Sequence, residues 1–105
     1  MEPECRSITL VIIPAIRASV AEQMQKKYQY KQAEIAKKLG IVQVAVSKYL
    51  NGKYSKKVSR VKEYITKHGL ETEITEGIAR NEDEKSINLK VDALCGRIAK
   101  ELNLK

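Results

Sequence analysis

The chain has 105 residues, enough for one domain or for one domain with an extension, and because Phe and Trp are absent its core must be built from Ile, Val, Leu and Ala with some of the five Tyr. No apolar run reaches the ~18–20 residues needed to span a bilayer, and the acidic start at residues 1–6 argues against a secretory signal. We therefore expect a cytoplasmic, chromosome-associated protein with no membrane partner. The formal net charge of +7 points to a polyanionic partner.

Residues 6–13 form an aliphatic, largely β-branched run, which is compatible with a strand or with the first turns of a helix that Pro14 bends. Because proline suits the first helical position, we favour a helix beginning near Pro14, preceded by an N-terminal arm at 1–13. Apolar residues recur along this helix at four-residue spacing and predict one core-facing side, formed by Ile13, Ile16, Val20, Ala21, Met24 and Tyr28.

The segment 31–53, KQAEIAKKLGIVQVAVSKYLNGK, contains two short helical patterns separated by a glycine. The first covers 32–39 and the second about 43–50, while Gly40 supplies the positive φ of a sharp turn. Asn51 and Gly52 tolerate a left-handed cap and end the second helix. The apolar positions predicted to be buried in this unit are Ile35, Ala36, Leu39, Ile41, Val46, Tyr49 and Leu50.

This segment resembles the helix-turn-helix of lambda-repressor and Cro-like regulators. The residues that carry the resemblance are Gln32, Glu34, Ile35, Ala36, Leu39, Gly40, Ile41, Gln43, Val46, Ser47, Leu50, Asn51 and Gly52. With Pro14-Ala15-Ile16-Arg17 upstream, the whole is similar to small archaeal predicted transcriptional regulators. Two positions depart from the pattern: Val42 and Lys31 stand where such proteins usually place Ser or Thr to cap a helix. The resemblance implies an all-α fold that binds double-stranded DNA.

In such an arrangement the helix at 43–50 would lie in the major groove. Its first turn and the next one would present four candidates for base contacts, namely Gln43, Val44, Ser47 and Lys48, with Val44 offering an apolar contact to a thymine methyl group. Six flanking residues are candidates for phosphate contacts that hold the backbone without reading sequence: Lys31, Lys53, Tyr54, Lys56, Lys57 and Arg60.

The positive charge is concentrated on this segment. Between residues 26 and 62 there are eleven Lys or Arg and one acidic residue, whereas the rest of the chain carries a net charge of −3. A solvated lysine-rich face would not explain why the charge stops at the edges of the motif. Neutralisation of phosphates, with release of counterions, does explain it.

Beyond the motif, Ser55 is a predicted N-cap for a helix in which Val58, Val61 and Ile65 point inward and which Gly69 ends. A short helix follows, with Leu70, Ile74 and Ile78 on its apolar side, and residues 81–85 form a charged, exposed connection.

The last predicted helix begins near Ser86 and carries a sustained apolar stripe, with Cys95 beside it. Because the preceding helices leave limited surface for this stripe, we favour a homodimer interface over intramolecular packing. The interface candidates are Ile87, Val91, Leu94, Ile98 and Leu102. The predicted fold is therefore all-α, with a helix-turn-helix core of about four helices at 14–68 and a C-terminal helical extension at 69–105.

Cys5, Cys95 and the single histidine, His68, cannot supply the four ligands of a zinc site within one chain. The two cysteines are either buried thiols or a disulfide, within or between chains. No paired nucleophile and base and no phosphate-binding glycine loop is present, so we expect no enzyme, metal or cofactor.

The sequence thus predicts a sequence-specific regulator of transcription that binds double-stranded DNA as a homodimer. Two alternatives stay open: a non-specific chromosomal DNA-binding protein, and a protein-interaction or antitoxin-like module.

Overall fold

A computed structural model describes residues 8–102, with side chains from residue 10 onward, and these residues form helices joined by short turns. A π-helical turn, Ile8–Ile12, leads into six α-helices: α1 (Ile13–Tyr28), α2 (Gln32–Leu39), α3 (Gln43–Leu50), α4 (Lys56–His68), α5 (Thr72–Ala79) and α6 (Glu84–Glu101). The prediction of an all-α fold, with a helix-turn-helix core and a further C-terminal helix, is confirmed. No helix within residues 8–102 is long and apolar enough to cross a membrane.

Helix α1 lies at the centre and packs against each of the other five helices. Three small residues on it, Ala15, Ala18 and Ala21, are fully buried and allow neighbouring helices to approach closely. The predicted core residues Ile16, Val20 and Met24 are also buried, and Ile13 and Tyr28 are half-buried.

The first α-helix begins at Ile13, next to Pro14 as predicted, but the chain is already helical before this point. Pro14 cannot donate a hydrogen bond to the carbonyl of Leu10, and its ring would crowd that carbonyl in a regular α-helix. The widened π-helical turn at Ile8–Ile12 accommodates this conflict. In the described part of the predicted N-terminal arm, Ile12 is fully buried and Val11 packs against the core, whereas Leu10 is exposed. Residues 1–7 lie outside the described range.

Helices α2 and α3 form the predicted helix-turn-helix. Ile35, Ala36 and Val46 are buried at its centre. Gly40 ends α2 with φ +68°, in the left-handed region that a residue with a Cβ rarely adopts. The remaining predicted core positions are half-buried, namely Leu39, Ile41, Tyr49 and Leu50.

Helix α4 begins and ends as the sequence predicts. The Ser55 hydroxyl accepts a hydrogen bond of 3.2 Å from the Val58 N–H, and Gly69 ends the helix with φ +62°. The inward residues Val58, Val61 and Ile65 are buried. In α5, Ile74 and Ile78 are buried, and Leu70, just before this helix, packs against the core.

The N-cap of α6 is Asp83 and not Ser86. The Asp83 carboxylate accepts from the Ser86 N–H at 2.8 Å, so the helix begins at Glu84. Glu82, in the segment predicted as an exposed connection, is half-buried and pairs with Lys90 at 2.7 Å and with Arg80 at 2.9 Å. Hydrogen bonds from Lys90 and then from Arg80 hold the pKa of Glu82 below its ordinary value.

The apolar stripe of α6 packs inside the monomer, which corrects its assignment to a homodimer interface. Helix α6 contacts the π-helical turn, α1 and α5, and so covers a part of the core that the preceding helices leave open. The Tyr64 hydroxyl donates to the Glu101 carboxylate at 2.6 Å and ties α6 to α4. Ile87, Leu94 and Ile98 are buried, and Val91 and Leu102 are half-buried against the same core.

The C-terminal extension and the helix-turn-helix core therefore share one hydrophobic core. One hydrophobic cluster runs from Ile12 to Ile98. Cys95 is buried in this cluster. The predicted disulfide also requires Cys5, which lies outside the described residues, so that pairing stays a prediction.

Candidate nucleic-acid interface

Helix α3 packs against the core with one side and exposes the other side to solvent. Val46 is fully buried, while Gln43, Val44 and Lys48 are exposed and Ser47 is half-buried. Gln43 and Ser47, like Val44 and Lys48, are four residues apart and so lie one above the other on the helix surface. The structure therefore brings all four predicted base-contact residues together on the outward side of α3.

Ser47 already accepts hydrogen bonds from a neighbouring side chain. The side-chain amide of Asn51 donates to the Ser47 carbonyl at 2.9 Å and to its hydroxyl oxygen at 3.3 Å. Because a serine hydroxyl can accept and donate at once, the proton of Ser47 stays available. Ser47 can thus donate to an acceptor outside the protein, such as a phosphate oxygen or a purine N7.

The start of α3 lacks a side-chain cap, as the sequence predicts. Val42 occupies the N-cap with extended backbone angles (φ −78°, ψ 152°) and offers no acceptor to the N–H groups of the first turn. The exposure of Val42 was not predicted from the sequence. Val42 is 70% exposed and Val44 is 66% exposed. The sequence did hold a sign of this exposure. Val42 stands at an N-cap, a position that precedes the helix and usually carries a polar residue facing solvent.

The predicted phosphate-contact residues surround α3 along the chain. Lys31 immediately precedes α2, Lys53 lies between α3 and α4, and Lys56 and Lys57 occupy the first turn of α4, with Arg60 one turn further on. These five cationic side chains are all exposed. Tyr54 differs, because it is half-buried and packs against the core.

The positive charge around α3 is not compensated within the described part of the chain. The ion pairs of residues 8–102 involve Lys26, Lys62, Arg80, Lys90 and Arg97, all of which lie outside 31–60. Lys38 donates to the side-chain oxygen of Asn81, which is neutral, at 2.7 Å. Within 8–102, no carboxylate pairs with any of the eight cationic residues of this segment: Lys31, Lys37, Lys38, Lys48, Lys53, Lys56, Lys57 and Arg60.

Two of these lysines stand where helix electrostatics disfavours them. The N-terminus of a helix carries partial positive charge, so acidic residues stabilise it and basic residues oppose it. Lys56 and Lys57 begin α4, and no acidic residue lies in its first turn. The same helix end attracts anions, phosphates in particular. The lysines at the start of α4 therefore destabilise the isolated fold slightly, but together with the outward side of α3 they form a surface that can bind a polyanion.

Two open grooves lie elsewhere on the described surface. One, of about 320 Å³, runs between α5 and α6, and another, of about 440 Å³, lies between α2 and the start of α6. Neither is lined by a residue of α3. Residues 8–102 contain no group of three or more side chains placed to hold a metal ion.

Comparison with known proteins agrees with this geometry. A family model described as helix-turn-helix, of the lambda-repressor and Cro-like class, matches residues 20–73, which is about half of the chain. The match runs from within α1 through α2, α3 and α4 and includes every predicted DNA contact. No curated protein and no solved structure matches the chain. The chain belongs to the lambda-repressor and Cro-like helix-turn-helix family of DNA-binding transcription regulators.

Proposed function

We propose that this protein is a sequence-specific regulator of transcription that inserts α3 into the major groove of double-stranded DNA. The observation that carries the proposal is the combination on one surface of outward polar residues on α3 and cations without an ion pair among the described residues. The cations supply affinity that does not depend on sequence, and the outward side of α3 supplies the base contacts.

Each base-contact candidate has a distinct chemical role. The Gln43 amide can pair with the N6 and N7 groups of adenine, and Lys48 can reach the acceptors of guanine or a phosphate. Ser47 acts as a donor, because the hydrogen bond that its hydroxyl oxygen accepts from Asn51 leaves its proton free. Val44 has only apolar groups to offer. Lys31, Lys53, Tyr54, Lys56, Lys57 and Arg60 contact the phosphate backbone.

The proposal includes a homodimer, because two copies reading two half-sites gain affinity and specificity over one. The surface that joins the copies differs from the α6 stripe, since that stripe is buried in the monomer. In this proposal residues 14–68 bind DNA, and the extension at 69–105 completes their core through its described residues, 69–102. The cytoplasmic, chromosome-associated location and the similarity to archaeal regulators stay predictions, as does the absence of enzymatic activity.

Selection of bound duplexes from a random-sequence library at near-physiological salt tests the proposal. Enrichment of an inverted repeat with half-sites about 10 bp apart would support a dimeric, sequence-specific regulator. Tight binding without an enriched sequence would contradict sequence specificity and favour the chromosomal alternative. Loss of every duplex would contradict DNA binding and favour a protein-interaction or antitoxin-like module.

A matched pair of variants connects the selected sequence to α3. Gln43→Ala is expected to relax the preference at one base pair of each half-site, by about 1–3 kcal/mol. Gln25→Ala removes the same side chain from an exposed position on α1 and should leave the selected sequence unchanged. An unchanged preference in the Gln43 variant would contradict the assignment of this residue.

A further inference from the structure

Two of the most exposed apolar side chains stand together at the start of α3. Among the described residues, four large apolar side chains are prominently exposed, namely Leu10, Val42, Val44 and Leu89. Single exposed apolar residues are common and need no explanation. Two within three residues of one another, at the end of the helix that faces DNA, form a local apolar surface inside a cationic one.

The spacing of the two valines fits neighbouring base pairs. Two residues of extended chain span at most ~7 Å, which limits the distance between the Cα atoms of Val42 and Val44. Successive base pairs in B-DNA are separated by about 3.4 Å. Side chains from these two positions can therefore meet the same base pair or base pairs no more than about two steps apart.

The chemistry of the major groove restricts what a valine can recognise there. Every base edge in that groove presents hydrogen-bonding groups, and the only apolar group is the C5 methyl of thymine. The C5 methyl of 5-methylcytosine has the same shape and position on the ring. A valine side chain neither donates nor accepts a hydrogen bond, so a pyrimidine methyl group is the one feature it can distinguish.

Val42 also occupies a position where another residue would stabilise the fold better. Its backbone is extended and its side chain provides no cap to α3, whereas Ser, Thr, Asp or Asn would accept a hydrogen bond there. The exposed valine gains no packing in return, since it is 70% exposed. Contact with a ligand accounts for an apolar side chain at this position, and packing within the monomer does not.

We propose that Val42 and Val44 together read C5 methyl groups of pyrimidines on neighbouring base pairs, so that the preferred DNA carries thymine, or 5-methylcytosine, opposite the start of α3. This inference rests on the proposed function and adds Val42 as a residue that determines specificity. The two valines form one apolar contact surface, and Gln43 between them supplies hydrogen bonds to an adjacent base or phosphate.

Single replacement of each thymine by deoxyuridine in the selected duplex tests this inference, because that change removes only the methyl group. At one or two neighbouring thymines of each half-site, the wild-type protein should bind the deoxyuridine duplex about fourfold more weakly, the equivalent of about 0.8 kcal/mol for one methyl group. In Val42→Ala or Val44→Ala the ratio of the two affinities should fall towards one at the base that this valine contacts. Replacing such a thymine by 5-methylcytosine, paired with guanine, should retain more affinity than replacing it by cytosine.

Two control variants distinguish the loss of a valine–methyl contact from a general effect of the substitution on the fold. Leu89→Ala removes a similarly exposed apolar side chain from α6 and should keep the wild-type ratio of the thymine and deoxyuridine affinities. Val42→Thr keeps the branched shape, lacks one methyl group and can cap α3, so it should reduce the ratio while the fold is retained.

The outcomes against the inference are distinct from those against the proposed function. Wild-type protein that binds a selected duplex but shows no thymine at which the methyl matters would overturn the inference alone. An unchanged ratio in both Val42 variants would overturn the role of Val42. Failure of wild-type protein to retain any duplex would overturn the proposed function and the inference with it.

Discussion

Replacing Lys56 and Lys57 together by alanine should make DNA binding less sensitive to salt. Both side chains are exposed at the first turn of α4, and neither pairs with a carboxylate within residues 8–102. If both contact phosphates, their removal lowers the number of counterions that are released on binding. Because they contact no base, the preferred sequence should stay the same.

The size of the effect follows from the number of cations on the surface. Lys31, Lys53, Lys56, Lys57 and Arg60 give about five phosphate contacts for each monomer, so the logarithm of affinity should fall with a slope of about −4.5 against the logarithm of salt concentration. The variant keeps three contacts and a slope of about −2.7. Between 50 and 200 mM salt, the affinity of one monomer for a duplex with a single half-site should therefore fall by about 500-fold for the wild type and by about 40-fold for the variant.

Fluorescence anisotropy with a labelled duplex that carries a single half-site measures both slopes over this salt range. The control is Lys85→Ala with Lys100→Ala, two exposed lysines of α6, which removes the same charge from a helix outside the proposed interface. Thermal unfolding should show no destabilisation of the Lys56 and Lys57 variant, because these residues oppose the dipole of α4. A slope equal to that of the wild type, or an equal change in the control, would refute the assignment, and a changed sequence preference would place these lysines among the base contacts.

Three further measurements test the described structure itself. Val42→Thr should stabilise the fold by about 1 kcal/mol by capping α3, which circular dichroism melting would show as a higher midpoint; an unchanged midpoint would contradict the uncapped geometry. Glu71 is buried with one carboxylate oxygen unpartnered, and desolvation raises its pKa, so its ionisation destabilises the fold. Stability should therefore fall as pH rises from the unfolded pKa of about 4.3 through the higher folded pKa, and Glu71→Gln should lose this dependence and be more stable at neutral pH by about 1 kcal/mol. Urea unfolding at several pH values measures this, and a less stable variant at neutral pH would contradict it. Burial, with a smaller effect of Asp92, raises the pKa of Cys95 to about 11, so in a Cys5→Ser variant iodoacetamide should label Cys95 only after unfolding; rapid labelling of the native protein would contradict this.

The sequence predicted the helix-turn-helix closely because its determinants are local. A glycine with positive φ, a serine that caps a helix and an apolar residue every three or four positions act within a few residues of the chain. Gly40, Ser55 and Gly69 all have the predicted roles. The outward side of α3 followed from the same periodicity, since fixing Val46 in the core leaves Val44 and Lys48 pointing away.

The features that were not predicted depend on contacts between distant parts of the chain. An amphipathic helix shows that a partner exists but not whether the partner is the same chain or another one. The α6 stripe is covered by α1, α5 and the π-helical turn, and the helical character of that turn was itself left open by the sequence. Asp83 and Ser86 are both good capping residues, and only the position of α6 on the core decides between them.

The helix N-termini of this protein differ in the charge of their first turns. Helices α2, α5 and α6 each have an acidic residue in the first turn, Glu34, Glu73 and Glu84, which the helix dipole favours. Helices α1, α3 and α4 have none: α1 continues from the π-helical turn, whereas α3 and α4 begin at the proposed interface, and α4 begins with two lysines. An acidic residue there would stabilise the helix by about 0.3–1 kcal/mol but would repel a phosphate. At the start of α4, where two lysines oppose the helix dipole, a bound phosphate would supply the missing negative charge, which is what the proposed interface requires.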